Sequence, residues 1–93
     1  MKNIFDISDF VSVVTEKTIK STIVERLKKR RKEAGFTQKD LSIRSGVSYG
    51  SIRRFETSGE ISLHALLRLC SVIGCLEDFN ELFKHPIIKD IRR

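Results

Sequence analysis

The stretch from Phe36 to Gly59, FTQKDLSIRSGVSYGSIRRFETSG, concentrates side chains that can form directed hydrogen bonds. A guanidinium such as that of Arg53 or Arg54 can donate two parallel bonds to the edge of one guanine. The hydroxyls of Tyr49 and Ser51 can reach base edges or phosphate oxygens, and Gly50, lacking a side chain, would let a helix backbone come close to a duplex. Gln38 follows Thr37 where a helix would start, and the unpaired amides of a first helical turn can hold an anion. Taken singly, each of these residues fits a solvated surface equally well. Together they mean something only if they share a face.

Two short helices joined by Gly46-Val47-Ser48 would give them that face. Thr37 is placed to cap a helix from about Gln38 to Ser45, and Asp40 three residues on makes a variant capping box. Ser48 caps the next helix, whose Ile52 and Phe55 turn inward at i, i+3 spacing. At about 100° per residue, Gly50, Arg54 and Thr57 then point away from the core, with Ser51 and Arg53 on the flanks and Tyr49 leading. Gly46 can take the positive φ of the tight turn, Val47 buries at the corner, and the small Ser42 lets the helices approach.

The remaining segments also read as helices, which predicts an all-α fold of five helices. A first helix, about Thr18 to Ala34, carries Ile19, Ile23, Leu27 and Ala34 on one stripe. A fourth is capped by Ser62 and stapled by Ile61 onto Leu66. Its Leu63, Leu66, Leu67, Leu69, Cys70 and Ile73 make it the central helix of the core. A fifth, Glu77 to about Phe83, presents Phe79, Leu82 and Phe83 and must end before His85-Pro86. Gly35, Gly46, Gly59 and Gly74 stand at segment ends, as helix-closing residues do. The domain is therefore expected at residues 18–84, after an N-terminal segment 1–17 and before a tail 85–93. In 1–17, Ile7, Phe10, Val11 and Val14 fit a helical stripe, while Val11, Val13, Val14 and Thr15 suit a strand. HPIIKDIRR fits either a short strand or a frayed end.

Composition narrows the function classes. With 93 residues and 40% hydrophobic content, the chain can build one small core. Residues 17–54 hold twelve basic side chains against three acidic ones, 12 − 3 = +9, although the whole chain is only +6. Such a basic middle suits a polyanion, but charge alone suits a solvated lysine-rich helix just as well. No apolar run approaches the roughly 20 residues of a membrane span, and MKNIFDISDF puts acids where a signal peptide needs apolar residues; a cytoplasmic location is expected. Cys70 and Cys75 lack the spacing of a zinc site and read as small buried hydrophobes. His64 and His85 have no metal or catalytic partner pattern, and GVSYG lacks the lysine of a phosphate loop. No cofactor, metal or enzymatic activity is expected.

The order Arg31, Gly35, Thr37-Gln38, Leu41, Gly46-Val47-Ser48, Ile52, Phe55-Glu56 resembles the helix-turn-helix of the Xre-type transcriptional regulators, the group that includes lambda repressor and Cro. The resemblance covers roughly residues 18–83 and implies a lambda-repressor-like domain with the helix-turn-helix at helices two and three. It implies that Gln38 clamps a backbone phosphate and that Tyr49, Gly50, Ser51 and Arg54 face the major groove. Arg53 is expected among the base contacts, and Lys39, Ser48 and Thr57 at phosphates. Arg31 and Glu56 match a structural ion pair joining the first helix to the end of the recognition helix, so Arg31 is not expected to touch DNA.

The function so implied is a sequence-specific repressor that binds a palindromic operator as a homodimer, often at its own promoter. Phe79, Leu82 and Phe83 are the first dimer candidates; the terminal segments could instead pair across the two-fold axis. Two features depart from the family pattern or narrow it. Gly50 removes a side chain at a base-reading position, so specificity must lean on Tyr49, Ser51, Arg53 and Arg54. TSGEISL is one residue longer than the most common family turn and, with LEDFNELF, looks like the HipB-like antitoxins found beside HipA-type kinases. That narrower likeness implies an alternative role, restraint of a toxin kinase with DNA binding as autoregulation.

Overall fold

Residues 14–87 are described by this computed structural model, and five helical segments account for most of them. Helix α1 spans Glu16–Glu33, two residues earlier than the apolar spacing suggests. The reason is a threonine capping box: Thr15 Oγ1 accepts from the Thr18 amide at 3.1 Å, and Thr18 Oγ1 accepts from the Thr15 amide at 3.0 Å. Helices α2 (Gln38–Ser45), α3 (Tyr49–Ser58) and α4 (Leu63–Ile73) are capped by Thr37, Ser48 and Ser62. Each cap hydroxyl accepts from the amide three residues on, at 3.0, 3.1 and 3.0 Å, satisfying one of the donors a helix start leaves open. At α2 the box closes in both directions, because the Asp40 carboxylate accepts from the Thr37 amide at 3.0 Å. Those bonds hold the Asp40 carboxyl below its usual 3.8. A 3-10 helix, Leu76–Glu81, follows α4 and has no side-chain cap.

The core gathers Val24 and Leu27 from α1, Leu41 from α2, Val47 from the turn, Ile52 and Phe55 from α3, and Leu69, Cys70 and Cys75 from α4 and its end. Helix α2 packs on both α3 and α4, while α1 lies across α3 and α4 and braces them. Leu41, Ile52 and Leu69 are sealed from solvent. Each such side chain contributes about 1.5–3 kcal/mol of burial free energy. Cys70 and Cys75 are free thiols inside this core, and burial, with Cys75 beside it, pushes the Cys70 thiol up to about 12.

Two expectations are corrected. The inward stripe of α1 is Val24, Leu27 and Arg31, whereas Ile19 and Ile23 are 47% and 42% exposed and Ala34 is an exposed cap residue. The helix is rotated so that a charged residue, Arg31, enters the core, and apolar counting alone could not select that rotation. Ile19 and Ile23 instead line an open surface groove with Val14, Leu63 and Leu66.

The fifth segment is the second correction: Glu77–Phe83 is not an α-helix. It forms two 3-10 turns ending at Glu81, followed by Leu82 in extended geometry and Phe83 at φ 59°. Without a cap, and with only Phe79 packed against the core, its few residues cannot offset the cost of a longer helix. The N-terminal stripe of Ile7, Phe10 and Val11, and most of HPIIKDIRR, lie outside the described residues. Among the described residues there is no strand.

Candidate nucleic-acid interface

The corner between α2 and α3 is fixed by backbone geometry and four hydrogen bonds. Gly46 adopts φ 77°, a conformation that side chain-bearing residues avoid, and its amide donates to Ser42 O at 2.9 Å. The Ser42 hydroxyl donates to Val47 O at 2.7 Å, so the serine adds a bond across the turn as well as being small. The Val47 amide donates to Ser45 Oγ at 3.1 Å, and from α4 the Arg68 Nε donates to Ser45 O at 3.0 Å. Arg68 therefore fastens the end of α2 to the central helix. Nothing in the apolar pattern of LHALLRLC pointed to this role, although an arginine amid leucines is the signal that could have done so.

Helix α3 has two unlike faces. Ile52 and Phe55 are 0% and 3% exposed, whereas Gly50, Arg53, Arg54 and Thr57 are open to solvent and Ser51 is half-buried. Gly50 carries no strain, and a Cβ there would meet nothing within 4 Å, so the space above it is vacant. Ser48 Oγ donates to Ser51 Oγ at 2.8 Å while accepting the Ser51 amide, which leaves the Ser51 proton to be donated outward. Thr57 is tied back: its hydroxyl donates to Arg53 O at 2.9 Å, and reaching a phosphate requires releasing that bond.

Tyr49, at the leading end of α3, sits between two cations. Lys39 Nζ of α2 and the Arg53 guanidinium each stand 5.6 Å from its ring centre, within cation–π range. The ring thus gathers a lysine from one helix and an arginine from the next onto one edge of the site, a grouping that residue spacing did not anticipate. A third such contact places the Arg44 guanidinium of α2 4.9 Å from the ring centre of Phe36, in the loop before that helix.

Arg31 and Glu56 form the charged centre behind this face. Arg31 Nε reaches Glu56 Oε2 at 2.8 Å and Nη2 reaches Oε1 at 3.0 Å, a forked pair whose side chains are only 9% and 6% exposed. Arg31 Nη1 also donates to Phe36 O at 2.8 Å. One guanidinium therefore ties α1, the loop entering α2, and α3 together. Gln38 joins the same carboxylate, with Nε2 donating to Glu56 Oε1 at 2.8 Å. Burial pushes the Glu56 carboxyl up, but the bonds from Arg31 and Gln38 and the charges of Arg31 and Lys28 outweigh it and hold the group below its usual 4.5.

The structure thus brings Gln38, Lys39, Ser48, Tyr49, Gly50, Ser51, Arg53 and Arg54 onto the side of the molecule formed by α3 and the start of α2. At that start, Thr37 satisfies the amides of Asp40 and Leu41, at 3.0 Å each. Helix geometry leaves the Gln38 and Lys39 amides directed off the helix end. Phe79 differs in burial from the other two dimer candidates, although the Leu82 amide donates to its carbonyl at 3.2 Å. It packs against the core, while Leu82 and Phe83 are 52% and 95% exposed. The turn from α3 to α4 is fastened to α1 by Lys20–Glu60 at 2.9 Å. Among the described residues no group of three His, Cys, Asp or Glu side chains could hold a metal ion, and no helix is long and apolar enough to cross a membrane.

Comparison with known proteins gives a family match. The helix-turn-helix family model matches residues 27–79, more than half of the chain, from the inward face of α1 through the 3-10 helix. No curated protein and no solved structure matches the chain.

Proposed function

Because the chain belongs to the helix-turn-helix family of Xre-type DNA-binding regulators, we propose that it is a sequence-specific repressor that binds a palindromic operator as a homodimer and acts on its own promoter. The observation that carries this reading is the split character of α3, sealed on one face and open on the other with Tyr49, Gly50, Ser51, Arg53 and Arg54. In this reading α3 lies in the major groove. Arg54 and Arg53 donate to guanine edges, Ser51 and Tyr49 supply hydroxyls, and the vacant space over Gly50 lets the helix axis approach the bases. Gln38, Lys39 and Ser48 hold phosphates at the two helix starts, with Thr57 joining once its hydroxyl turns outward. One recognition helix reads too few base pairs for a genome, so two copies act on half-sites about 10 base pairs apart. Leu82 and Phe83 are the exposed apolar residues we assign to the dimer contact.

Footprinting on the DNA upstream of the protein's own reading frame tests the proposal. Protection of two half-sites one helical turn apart is expected, with affinity falling about 10³-fold or more between 50 and 200 mM salt. A flat salt response, or no protected site, would overturn it. A second reading, an antitoxin that restrains a HipA-type kinase, is favoured by the lengthened turn after Glu56. Expression with the neighbouring genes and recovery of a stoichiometric kinase would support it; recovery of the regulator alone would count against it.

A further inference from the structure

We infer that Glu56 is a positioning residue for the phosphate contact, setting which face of the Gln38 side-chain amide meets DNA. This rests on the DNA-binding reading above. A glutamine amide has two different ends, an acceptor oxygen and a donor NH₂, and a phosphate accepts only. Turned the wrong way, Gln38 would present oxygen to oxygen and repel the backbone. An ionised carboxylate is also an acceptor only, so Glu56 Oε1, 2.8 Å from the Gln38 side chain, accepts Nε2–H and excludes the flipped amide. The second proton of the same NH₂ group then points away from Glu56 and remains available to a phosphate beside the α2 start.

Charge balance makes this tolerable. A bare carboxylate next to a phosphate site would repel the ligand, but both Glu56 oxygens are engaged by Arg31, at 2.8 and 3.0 Å. The Glu56 side chain is 6% exposed, so its field is directed into these bonds and not into solvent. Arg31, Glu56 and Gln38 therefore form one chain in which an ion pair between α1 and α3 orients a donor at the start of α2. The pair that locks the helices together also orders the contact they make.

The test is a double-mutant cycle on a 20-base-pair duplex of arbitrary sequence, because a phosphate contact does not depend on the operator. Glu56→Gln alone could fail to fold. The background used is therefore Arg31→Met/Glu56→Met, which removes both charges together and keeps the volume, with thermal melting to confirm folding. In the native protein Gln38→Ala should weaken binding about 10-fold, the scale of one charge-assisted hydrogen bond. In the double-methionine background the same substitution should cost less than about 2-fold. Lys39→Ala serves as the control and should cost the same in both, since a general structural disturbance would change it too. Equal Gln38→Ala effects in the two backgrounds would overturn the positioning role. Failure of the native protein to bind the duplex at low salt would instead overturn the DNA reading beneath it, and the inference with it. In the free native protein, one Gln38 Hε2 proton should be shifted downfield in the NMR spectrum and lose that shift in the Arg31→Met/Glu56→Met background; an unshifted signal overturns the bond itself.

Discussion

Thr37–Gly59 and Leu76–Phe83 both carry apolar residues at helical spacing, yet only the first folds as that spacing predicts. In the helix-turn-helix, each helix begins with a hydroxyl cap and ends on a glycine at positive φ, and its apolar side chains meet neighbours on two helices. In the later segment there is no side-chain cap, Phe79 alone packs inward, and Phe83 stands 95% exposed in left-handed geometry. The comparison teaches that periodicity proposes a helix, while capped ends and a partner surface decide whether one forms. It also separates residues that hold the helix-turn-helix in place from residues that are free to serve another purpose.

The largest expected effect tests the first region at its charged centre. Arg31→Met should cost about 3–5 kcal/mol in chemical denaturation, because Glu56 would be left buried without its partner. Adding Glu56→Met should recover part of that loss; if the double variant were no more stable than the single, the charge-pair account would fail. The same pair predicts an acid limb. Glu56 has a folded-state value below 4.5, so the unfolded chain takes up its proton first; the stabilisation is present above about pH 4.5 and is lost as pH falls through the folded value. Next in size, Ile52→Ala should cost about 2–5 kcal/mol by emptying a fully sealed site.

On the open face, Arg54→Ala should leave stability within about 0.5 kcal/mol and reduce discrimination between cognate and scrambled duplexes by about 1–3 kcal/mol. Gln38→Ala should weaken both duplexes by a similar factor. If Arg54→Ala left the ratio unchanged in an anisotropy titration, the reading face would be misassigned.

Two glycines sharpen the contrast within one unit. Gly46→Ala should destabilise by about 1 kcal/mol or more, since alanine resists φ 77° and its Cβ would press on the Arg68 guanidinium at 2.6 Å. Gly50→Ala, helical and facing open space, should raise stability by about 0.5–1 kcal/mol while weakening DNA binding if close approach matters there. The smallest effect belongs to the second region: Leu82→Ser should move the melting free energy by no more than about 0.5 kcal/mol, yet shift the sedimentation profile toward monomer if Leu82 lies in the dimer contact. A loss of several kcal/mol instead would mean that Leu82 belongs to the core of its own chain.

Most of the helix-turn-helix was legible in the sequence because its signals are local. Thr37 with Asp40, Ser48, Gly46 and the Ile52–Phe55 spacing each act within four residues, and backbone geometry converts them directly into helix ends and faces. Local chemistry likewise placed α4 between Ser62 and Gly74. What the sequence left undecided depends on groups far apart in the chain. The Arg31–Glu56 pair, 25 residues apart, was expected from the family likeness, but apolar spacing did not carry its consequence that Val24 turns inward while Ile19 does not. Arg68 finding Ser45 O, Lys39 meeting the Tyr49 ring and Gln38 bonding Glu56 are also contacts across elements. Spacing along one helix carries no information about the distance to another. The sequence by itself determined where most of the helices start, stop and turn, and its family likeness paired Arg31 with Glu56; tertiary packing alone decided which face of α1 turns inward, that Gln38 joins Glu56, and that Leu76–Phe83 stays a pair of 3-10 turns, because those outcomes are set by what each side chain finds beside it.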